Sequence, residues 1–313
     1  ALAYWSFSSH WITGFMMLSL PLLFVFHLVF LLVWAALAPR RIPYTLLILA
    51  LGYPFLSRTF QWNSADAPAA PPRLKVMNYN VLRFNMHDYE SGKNKSNTEQ
   101  MRTWLAQQDA DVICFQEFYH YAHSKGLNFT SLLRKAGYKY HVSQTLHNRA
   151  SSDYELGLAV YSRYPVIAKK DTFFGGQNGL LQADILWQKD TVRVIDVHLY
   201  SMTLKLGQLA RQKELEGVKR ETRGTLRQMR RGYVNRAEEL GLLESWISET
   251  PTNRPIIVCG DFNETPYSYV YGRMNSLLTN AFEVKGRGFG FTFNQLPYFI
   301  RIDHQFYTAN HLE

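Results

Sequence analysis

The sequence predicts a layered α/β domain that follows a membrane-spanning helical segment. Short apolar runs rich in Val, Ile, Phe and Tyr alternate with segments of helical periodicity, which is the pattern of a domain whose helices cover sheets. Several of the apolar runs end abruptly in Asn, Asp, Glu or His, and such ends place polar side chains at the rim of a sheet. The first 39 residues contain no Asp, Glu, Lys or Arg, as a membrane helix requires.

The apolar N-terminus predicts an anchor of two membrane spans within residues 1–60. A span needs ~20 mostly apolar residues, which residues 12–37 supply. A second uncharged run, residues 42–57, reaches only ~24 Å at ~1.5 Å per residue. Because basic loops stay in the cytoplasm, Arg40 and Arg41 between the spans predict an extracytoplasmic location for the rest of the chain. A buried helical hairpin in a soluble protein is the alternative.

The remainder of the chain divides into a linker and one domain. Residues 61–73 are rich in Pro and Ala, a composition typical of a semi-extended linker. Residues 74–313 read as a single domain with helical patterns at 98–108 and 233–249. The two cysteines, Cys114 and Cys259, lie in apolar strand runs and are expected to be buried free thiols; a disulfide would require suitable strand geometry.

Positive charge is concentrated in one segment. The chain carries a net charge of +9, and Lys205 to Arg236 alone contains ten basic and three acidic residues. Gly207, Gly217, Gly224 and Gly232 are expected to weaken a continuous helix there. Either the segment is a solvated helical face, or it binds a polyanion such as anionic lipid or nucleic acid. The candidate polyanion-binding residues are Lys219, Arg220, Arg223, Arg227, Arg230 and Arg231.

Polar residues at strand ends predict a metal-assisted phosphoester site. A divalent cation offsets the negative charge of a phosphodiester and the poor leaving group, and Mg²⁺ prefers a few hard oxygen ligands. The candidate ligands are Asn80, Glu117 and Asp303.

The remaining strand ends supply groups for proton transfer and charge stabilisation. Asp261 can deprotonate or orient the attacking water. Asn263, two residues further, is expected on the same side of an extended chain, where it can hold that water or a phosphate oxygen. His198 and His304 can donate hydrogen bonds to the developing phosphorane.

Six motifs in order resemble the endonuclease/exonuclease/phosphatase superfamily across essentially all of residues 74–313. The resemblance implies a four-layer α/β sandwich of two packed mixed β-sheets flanked by helices, Mg²⁺ or Mn²⁺ dependence, and phosphoester hydrolysis. It matches the metal, water-activating and phosphate-contacting roles given above to the same residues, with Asn280 and Arg301 as supporting residues. The motifs are Met77-Asn78-Tyr79-Asn80-Val81, Ile113-Cys114-Phe115-Gln116-Glu117, Gly157-Leu158-Ala159-Val160-Tyr161-Ser162-Arg163-Tyr164-Pro165, Asp196-Val197-His198-Leu199, Gly260-Asp261-Phe262-Asn263-Glu264-Thr265-Pro266 and Arg301-Ile302-Asp303-His304.

Three functions remain open at this point. The first is a membrane-anchored phosphoester hydrolase, expected to be a phosphodiesterase, that acts on a substrate such as a lipid headgroup at the bilayer surface. The second is an extracytoplasmic nuclease whose basic segment grips nucleic acid. The third is a catalytically weak, membrane-bound binding module. The bilayer and a phosphoester substrate are the expected partners, and no obligate protein partner can be inferred from the sequence.

Asn280 departs from the family pattern, in which an acidic residue commonly supports the catalytic His. An amide cannot stabilise an imidazolium as a carboxylate does, so the His works neutral, Glu283 substitutes, or turnover is low. We expect Asn280→Asp to raise the rate of phosphoester cleavage. Steady-state kinetics of the two proteins side by side check this, and an unchanged or lower rate contradicts it.

Overall fold

The computed structural model describes residues 11–64, 73–144, 153–201, 215–293 and 300–310; side chains are not described for residue 15 and residues 215–220. The described helices are α1 (Trp11–Leu18), α2 (Leu20–Leu37), α3 (Ile42–Thr59), α4 (Met86–Glu90), α5 (Ser96–Ala106), α6 (Phe129–Lys135), α7 (Leu215–Ser248), α8 (Tyr269–Leu277) and α9 (Ala281–Lys285). The described strands are β1 (Gln61–Trp62), β2 (Val76–Asn80), β3 (Val112–Tyr121), β4 (Tyr140–Ser143), β5 (Tyr154–Ser162), β6 (Val166–Gly175), β7 (Asn178–Trp187), β8 (Asp190–His198), β9 (Ile256–Asp261), β10 (Thr279–Asn280), β11 (Arg287–Gly288) and β12 (Asp303–Tyr307).

The chain forms two compact units, each made of segments that are distant in sequence. The first unit contains Ala1–Ala65, Met202–Leu240 and Glu264–Ile302. The second unit contains Asp66–Ser201, Gly241–Asn263 and Asp303–Glu313. This division differs from the predicted boundaries, because the N-terminal segment shares its unit with two segments of the predicted catalytic domain.

Two mixed sheets pack face to face in the second unit, as the sequence predicted. One has the order β2-β3-β5-β4, with β2 parallel to β3 and the other neighbours antiparallel. In the other, β12-β9-β8-β7-β6, only β8 and β9 run parallel. The strands arise from dense β-branched and aromatic runs such as Val192 to Val197, which favour a pleated, buried surface.

Apolar side chains from both sheets fill the space between them. Val112, Leu158 and Val160 of the first sheet share one buried cluster with Leu181 and Val194 of the second. Burial of this kind stabilises the fold by roughly 25 cal/mol per Å² of apolar surface. The expected buried free thiols are confirmed, because Cys114 and Cys259 lie unbridged in the same cluster.

Helices cover the outer faces of both sheets. Leu105 of α5 and Phe129 and Leu133 of α6 join Phe115 and Phe118 of β3 in a second buried cluster. On the other sheet, the Arg193 Nη1 donates to the Thr250 hydroxyl just beyond α7 at 2.8 Å, and Lys170 lies over the Trp246 ring of α7 at 4.7 Å. The predicted α/β sandwich with helices on the sheets is therefore present.

The N-terminal helices of the first unit form a hairpin. Among the described helices, only the stretch Trp11–Leu37 is long and apolar enough to cross a membrane, by length and composition alone. The predicted second span, residues 42–57, lies within α3 but does not meet this criterion. Helix α3 runs back along α2, since the Phe24 ring packs where a Cβ on Gly52 would lie.

The predicted linker and the predicted weakening of the helix both differ from the structure, where it describes them; Gly207 lies outside the described residues. Gln61 and Trp62 form β1, which pairs with β11, while residues 65–72 of the linker lie outside the described residues. Helix α7 runs unbroken through Gly217, Gly224 and Gly232, although each glycine costs about 1 kcal/mol relative to Ala. Tertiary contacts outweigh that cost, because Arg236 is fully buried in an ion pair with Glu264 at 2.7 Å.

Gly260 lets β9 approach β8 closely at the edge where the polar strand ends meet. Its φ is +153°, and a Cβ there would lie 1.9 Å from the Val197 carbonyl oxygen. We expect Gly260→Ala to lower the free energy of unfolding by about 2 kcal/mol or more. The control is Gly241→Ala in α7, where a Cβ meets nothing within 4 Å and helix propensity improves. Urea denaturation of both variants measures this difference in stability. Equal denaturation midpoints for the two variants contradict the expectation.

Candidate active site

The polar strand ends of the two sheets meet within the second unit. Asn80 ends β2 of the first sheet, and Asp261 ends β9 of the second. The Asn80 amide nitrogen donates to Asp261 Oδ2 at 3.1 Å, which joins the two sheets at this edge. His198 lies beside Asp261 in parallel register, and Asp303 lies opposite Asp261 in antiparallel register. The structure thus brings Asn80, His198, Asp261 and Asp303 to one edge, as the sequence predicted.

Glu117 reaches this edge because β3 is interrupted. The register with β5 shifts between Phe115 and Phe118, a β-bulge that redirects the intervening side chains. Glu117 has a φ of +50°, a left-handed conformation that is strained for a residue with a Cβ. Its carboxylate lies 3.5 Å from the Asn80 amide nitrogen and 3.7 Å from Arg83 Nε.

Asp261 and Asn263 are linked by a turn rather than by an extended strand. Asp261 Oδ1 accepts a hydrogen bond from the Asn263 backbone N–H at 2.9 Å, and Asn263 has a φ of +51°. The expectation that Asn263 continues an extended chain is therefore wrong, because the Asp side chain closes an Asx-type turn on the backbone two residues on. The Asn263 amide nitrogen donates to the Leu199 carbonyl at 3.1 Å, which fixes the turn next to β8.

The hydrogen bond of His198 determines its tautomer. Its Nδ1 lies 3.1 Å from the Gln177 carbonyl oxygen, which can only accept, so Nδ1 carries a proton. Nε2 is buried and has no hydrogen-bond partner among the described residues. Burial lowers the pKa of His198, while Glu117 and Asp303 oppose that shift. The neutral ring therefore presents an acceptor at Nε2, and it becomes a donor there only on protonation.

His304 lies in β12 one residue after Asp303, and its ring is almost fully buried. The ring packs against Phe262 at a centroid distance of 5.7 Å and against Phe306 at 6.1 Å. Phe262 lies between Asp261 and Asn263 in the chain. Its contact with His304 therefore connects the motif of residues 260–266 to the motif of residues 301–304. Both histidines are thus held by rigid strands, as preorganised catalytic groups require.

Five residues that had no predicted role contact one another or the site residues. Arg83 faces Glu117, and the Gln177 carbonyl orients His198. Gln116 Nε2 donates to Asp196 Oδ1 at 2.5 Å and to Asn78 Oδ1 at 2.7 Å. Strand alternation places Asp196 on the face of His198 and Asn78 on the face of Asn80, so period-two spacing could have identified both.

The two supporting residues belong to the first unit, where their contacts are structural. Asn280 Oδ1 accepts from the backbone N–H groups of Phe282 and Glu283 and so caps α9. The buried Asn280 Nδ2 has no partner within the described part of the chain. The Arg301 guanidinium lies 3.6 Å from the centroid of the Phe282 ring.

The candidate polyanion-binding residues lie on α7. Arg223, Arg227, Arg230 and Arg231 are exposed, and Arg230 lies over the Trp11 ring at 5.6 Å. Lys219 and Arg220 are part of α7, but their side chains lie outside the described residues.

The donor chemistry at the sheet edge fits a hard cation such as Mg²⁺. Among the described residues, no group of three or more His, Cys, Asp and Glu side chains is arranged to hold a metal ion. Mg²⁺ does not need such a group, because it keeps several waters and binds through one or two carboxylates. Glu117 offers a carboxylate of that kind, and the Asn80 amide nitrogen lies 3.5 Å from it. The Asn80 amide oxygen, the candidate ligand atom of that residue, accepts from the Leu82 backbone N–H at 3.1 Å.

Comparisons with known proteins agree with this architecture. The model of the Endonuclease/Exonuclease/phosphatase family matches residues 77–313, and the model of a domain of unknown function matches residues 1–59. No curated protein sequence matches.

Several solved structures are similar to this chain at low identity. An endonuclease/exonuclease/phosphatase family protein from Leptotrichia buccalis is 15% identical, covers 76% of this chain and 88% of its own, and has a TM-score of 0.49. Sphingomyelinase C from Streptomyces griseocarneus is 15% identical, with coverage of 78% and 86% and a TM-score of 0.48. A mannosyl-6-phosphatase from Bacteroides thetaiotaomicron is 15% identical, with coverage of 76% and 86% and a TM-score of 0.47.

Asp196 gives the stability of the second unit a defined pH dependence. It is fully buried without a cationic partner among its named contacts, and this burial raises its pKa well above the ordinary value of 3.8. The native state therefore keeps a proton that the unfolded chain releases, so stability falls as pH rises above about 4. For one carboxyl this fall in the free energy of unfolding is at most about 1.4 kcal/mol per pH unit, and we expect Asp196→Asn to remove it.

The measurement is urea denaturation of wild type and Asp196→Asn between pH 4 and pH 8. Exposed Asp190 lies at the start of the same strand, so Asp190→Asn is the matched control and should follow the wild-type curve. Parallel curves for wild type and Asp196→Asn would show that the carboxyl is ionised in the native state.

Proposed function

The chain belongs to the endonuclease/exonuclease/phosphatase family, and we propose from this membership and the site that it is a metal-dependent phosphodiester hydrolase acting at a membrane surface. One observation carries the proposal: the hydrogen bond from Asn80 to Asp261. It brings a candidate metal ligand of one sheet next to the candidate water-activating carboxylate of the other. Enzymes of this family commonly use divalent metals.

Mg²⁺ or Mn²⁺ held by Glu117, Asn80 and Asp303 would act as a Lewis acid on the phosphoester and stabilise the leaving oxygen. Asp261 orients the attacking water and accepts its proton. The carboxylate is preorganised for this role, since one oxygen accepts from Asn80 and the other from the Asn263 backbone.

His198 responds to the charge of the substrate. In the free protein its pKa is lowered by burial, which favours the neutral ring. A phosphate anion beside Nε2 would favour the imidazolium, and Nε2 would then donate to a phosphoryl oxygen. His304, one residue beyond Asp303, is the second candidate for this contact.

The hairpin of the first unit supports a location at the bilayer. If Trp11–Leu37 crosses the membrane, we propose that α3 returns through it, which is supported by the contact of Phe24 with Gly52 and by the packing of Met17 and Phe55 near Tyr267. Arg40 and Arg41 in the connecting turn then favour a cytoplasmic turn and an extracytoplasmic site. Arg230 stacks on Trp11 at the start of the span, which favours lipid phosphate over nucleic acid as the target of the arginines.

A nuclease is the second candidate, favoured by the exposed arginines of α7. Nucleic acid binding through phosphate contacts weakens steeply with salt. The test compares cleavage of single-stranded and duplex DNA at about 50 mM and about 200 mM salt with hydrolysis of phospholipid vesicles that carry anionic headgroups. DNA cleavage that weakens steeply with salt supports the nuclease, and hydrolysis of the vesicles supports a lipid substrate.

The proposed reaction is tested with the full chain in detergent micelles and an activated phosphodiester. We expect hydrolysis with Mg²⁺ that chelator abolishes, and a fall of about 10²- to 10⁴-fold in kcat for Asp261→Asn, since the water loses its base. Asp190→Asn is the matched control on the same sheet. Equal rates for Asp261→Asn and wild type would refute the assignment, and no activity in wild type on any substrate would favour the binding module.

A further inference from the structure

The end of helix α3 continues directly into the first unit. Beyond Thr59, β1 pairs with β11, with Gln61 opposite Gly288 and Trp62 opposite Arg287. The Asn63 amide nitrogen then donates to the Gly286 carbonyl at 3.0 Å. The N-terminal segment is therefore hydrogen-bonded to residues 286–288 rather than attached only through a linker.

Arg58, in the last turn of α3, is the centre of this attachment. Its side chain is only 3% exposed, and its Nη1 donates to the Pro266 carbonyl at 3.3 Å. Its Nε lies 3.6 Å from Glu283 Oε1, and that carboxylate oxygen also accepts from the Tyr271 hydroxyl at 2.5 Å. A buried arginine is retained only where its charge is paired and hydrogen-bonded, so this position is specific for a cation with several donors.

A second arginine also contacts the last turn of α3. Arg301 is buried, and its Nη2 donates to the backbone carbonyl of Arg58 at 2.6 Å. Pro266 lies three residues after Asn263, and Arg301 lies two residues before Asp303. Arg58 therefore contacts both ends of the segment Glu264–Ile302, whose flanking residues in the chain are the site residues Asn263 and Asp303.

We propose that Arg58 is a positioning residue for the hydrolytic site: by holding both ends of Glu264–Ile302, it fixes the backbone that carries Asn263 and Asp303. This inference rests on the proposed function for its kinetic consequence.

The kinetic experiment uses the full chain in micelles and a soluble activated phosphodiester, which does not need to reach a bilayer. We expect Arg58→Gln to lower kcat at least tenfold with KM changed less than twofold, because substrate contacts remain while Asn263 and Asp303 lose their fixed backbone. Arg58→Lys keeps the charge and should recover part of kcat. The matched control is Arg40→Gln, an exposed arginine in the turn at the other end of α3, which should leave both constants unchanged.

Each variant is assayed well below its own unfolding midpoint, so that a lower folded fraction does not imitate the effect. If Arg58→Gln does not fold, Glu283→Gln decides, since it weakens the ion pair and keeps an acceptor for Tyr271. A kcat equal to wild type in a folded Arg58→Gln, or in Glu283→Gln when that variant decides, overturns the proposal.

Hydrogen exchange provides a readout that does not depend on activity. Arg58→Gln should speed amide exchange in peptides covering 261–268 and 300–307 and leave the hairpin of β7 and β8 unchanged. If wild type hydrolyses nothing, the proposed function fails, and the exchange data still decide whether Arg58 positions the segment. Unchanged exchange at both peptides overturns the positioning role whatever the activity.

Discussion

The hydrogen bond between Asn80 and Asp261 is the contact on which the candidate site depends. Each residue ends a strand in a different sheet, so their contact fixes the distance between the two sheets at this edge. Within the second sheet, Gly260 allows β9 to lie against Val197 of β8, so that Asp261 and His198 end neighbouring strands side by side. The same edge then presents Glu117 and His198, because their strands are neighbours of β2 and β9.

Polar groups buried behind this edge extend the connection into the core. Gln116 reaches across from β3 to Asp196 on β8, and both are surrounded by apolar side chains. Burial raises the pKa of Asp196 and so favours the protonated carboxyl over an unpaired buried charge, which would cost much more. The hydrogen bond between Gln116 and Asp196 links the two sheets directly behind His198 and Glu117. The same burial of Asp196 is expected to lower stability as pH rises.

The sequence was sufficient to predict the two sheets and the polar strand ends that meet at one edge, because both depend on local patterns. Apolar runs ending in Asn80, His198 and Asp261 give the strands and their polar ends, and parallel register then brings the ends together. The left-handed conformations of Glu117 and Asn263 could not be predicted in this way. They are imposed by a bulge and by an Asx-type turn, both of which depend on neighbours that the local pattern does not specify.

The compact units of the chain cut across the boundary that its composition suggests, and the reason is physical. The composition divides the chain into an apolar N-terminus and a predicted catalytic domain. The two family models, which match residues 1–59 and 77–313, have their boundary at nearly the same place. The contacts of Arg58 cross that boundary, because a buried guanidinium needs partners wherever the fold can supply them, and here Glu283 and Pro266 supply them from the other side. A segment predicted from its hydropathy to be an anchor is thereby bonded to the segment between Asn263 and Asp303. The buried arginine in the last turn of α3 therefore contacts both ends of the segment that leads from one site residue to the other.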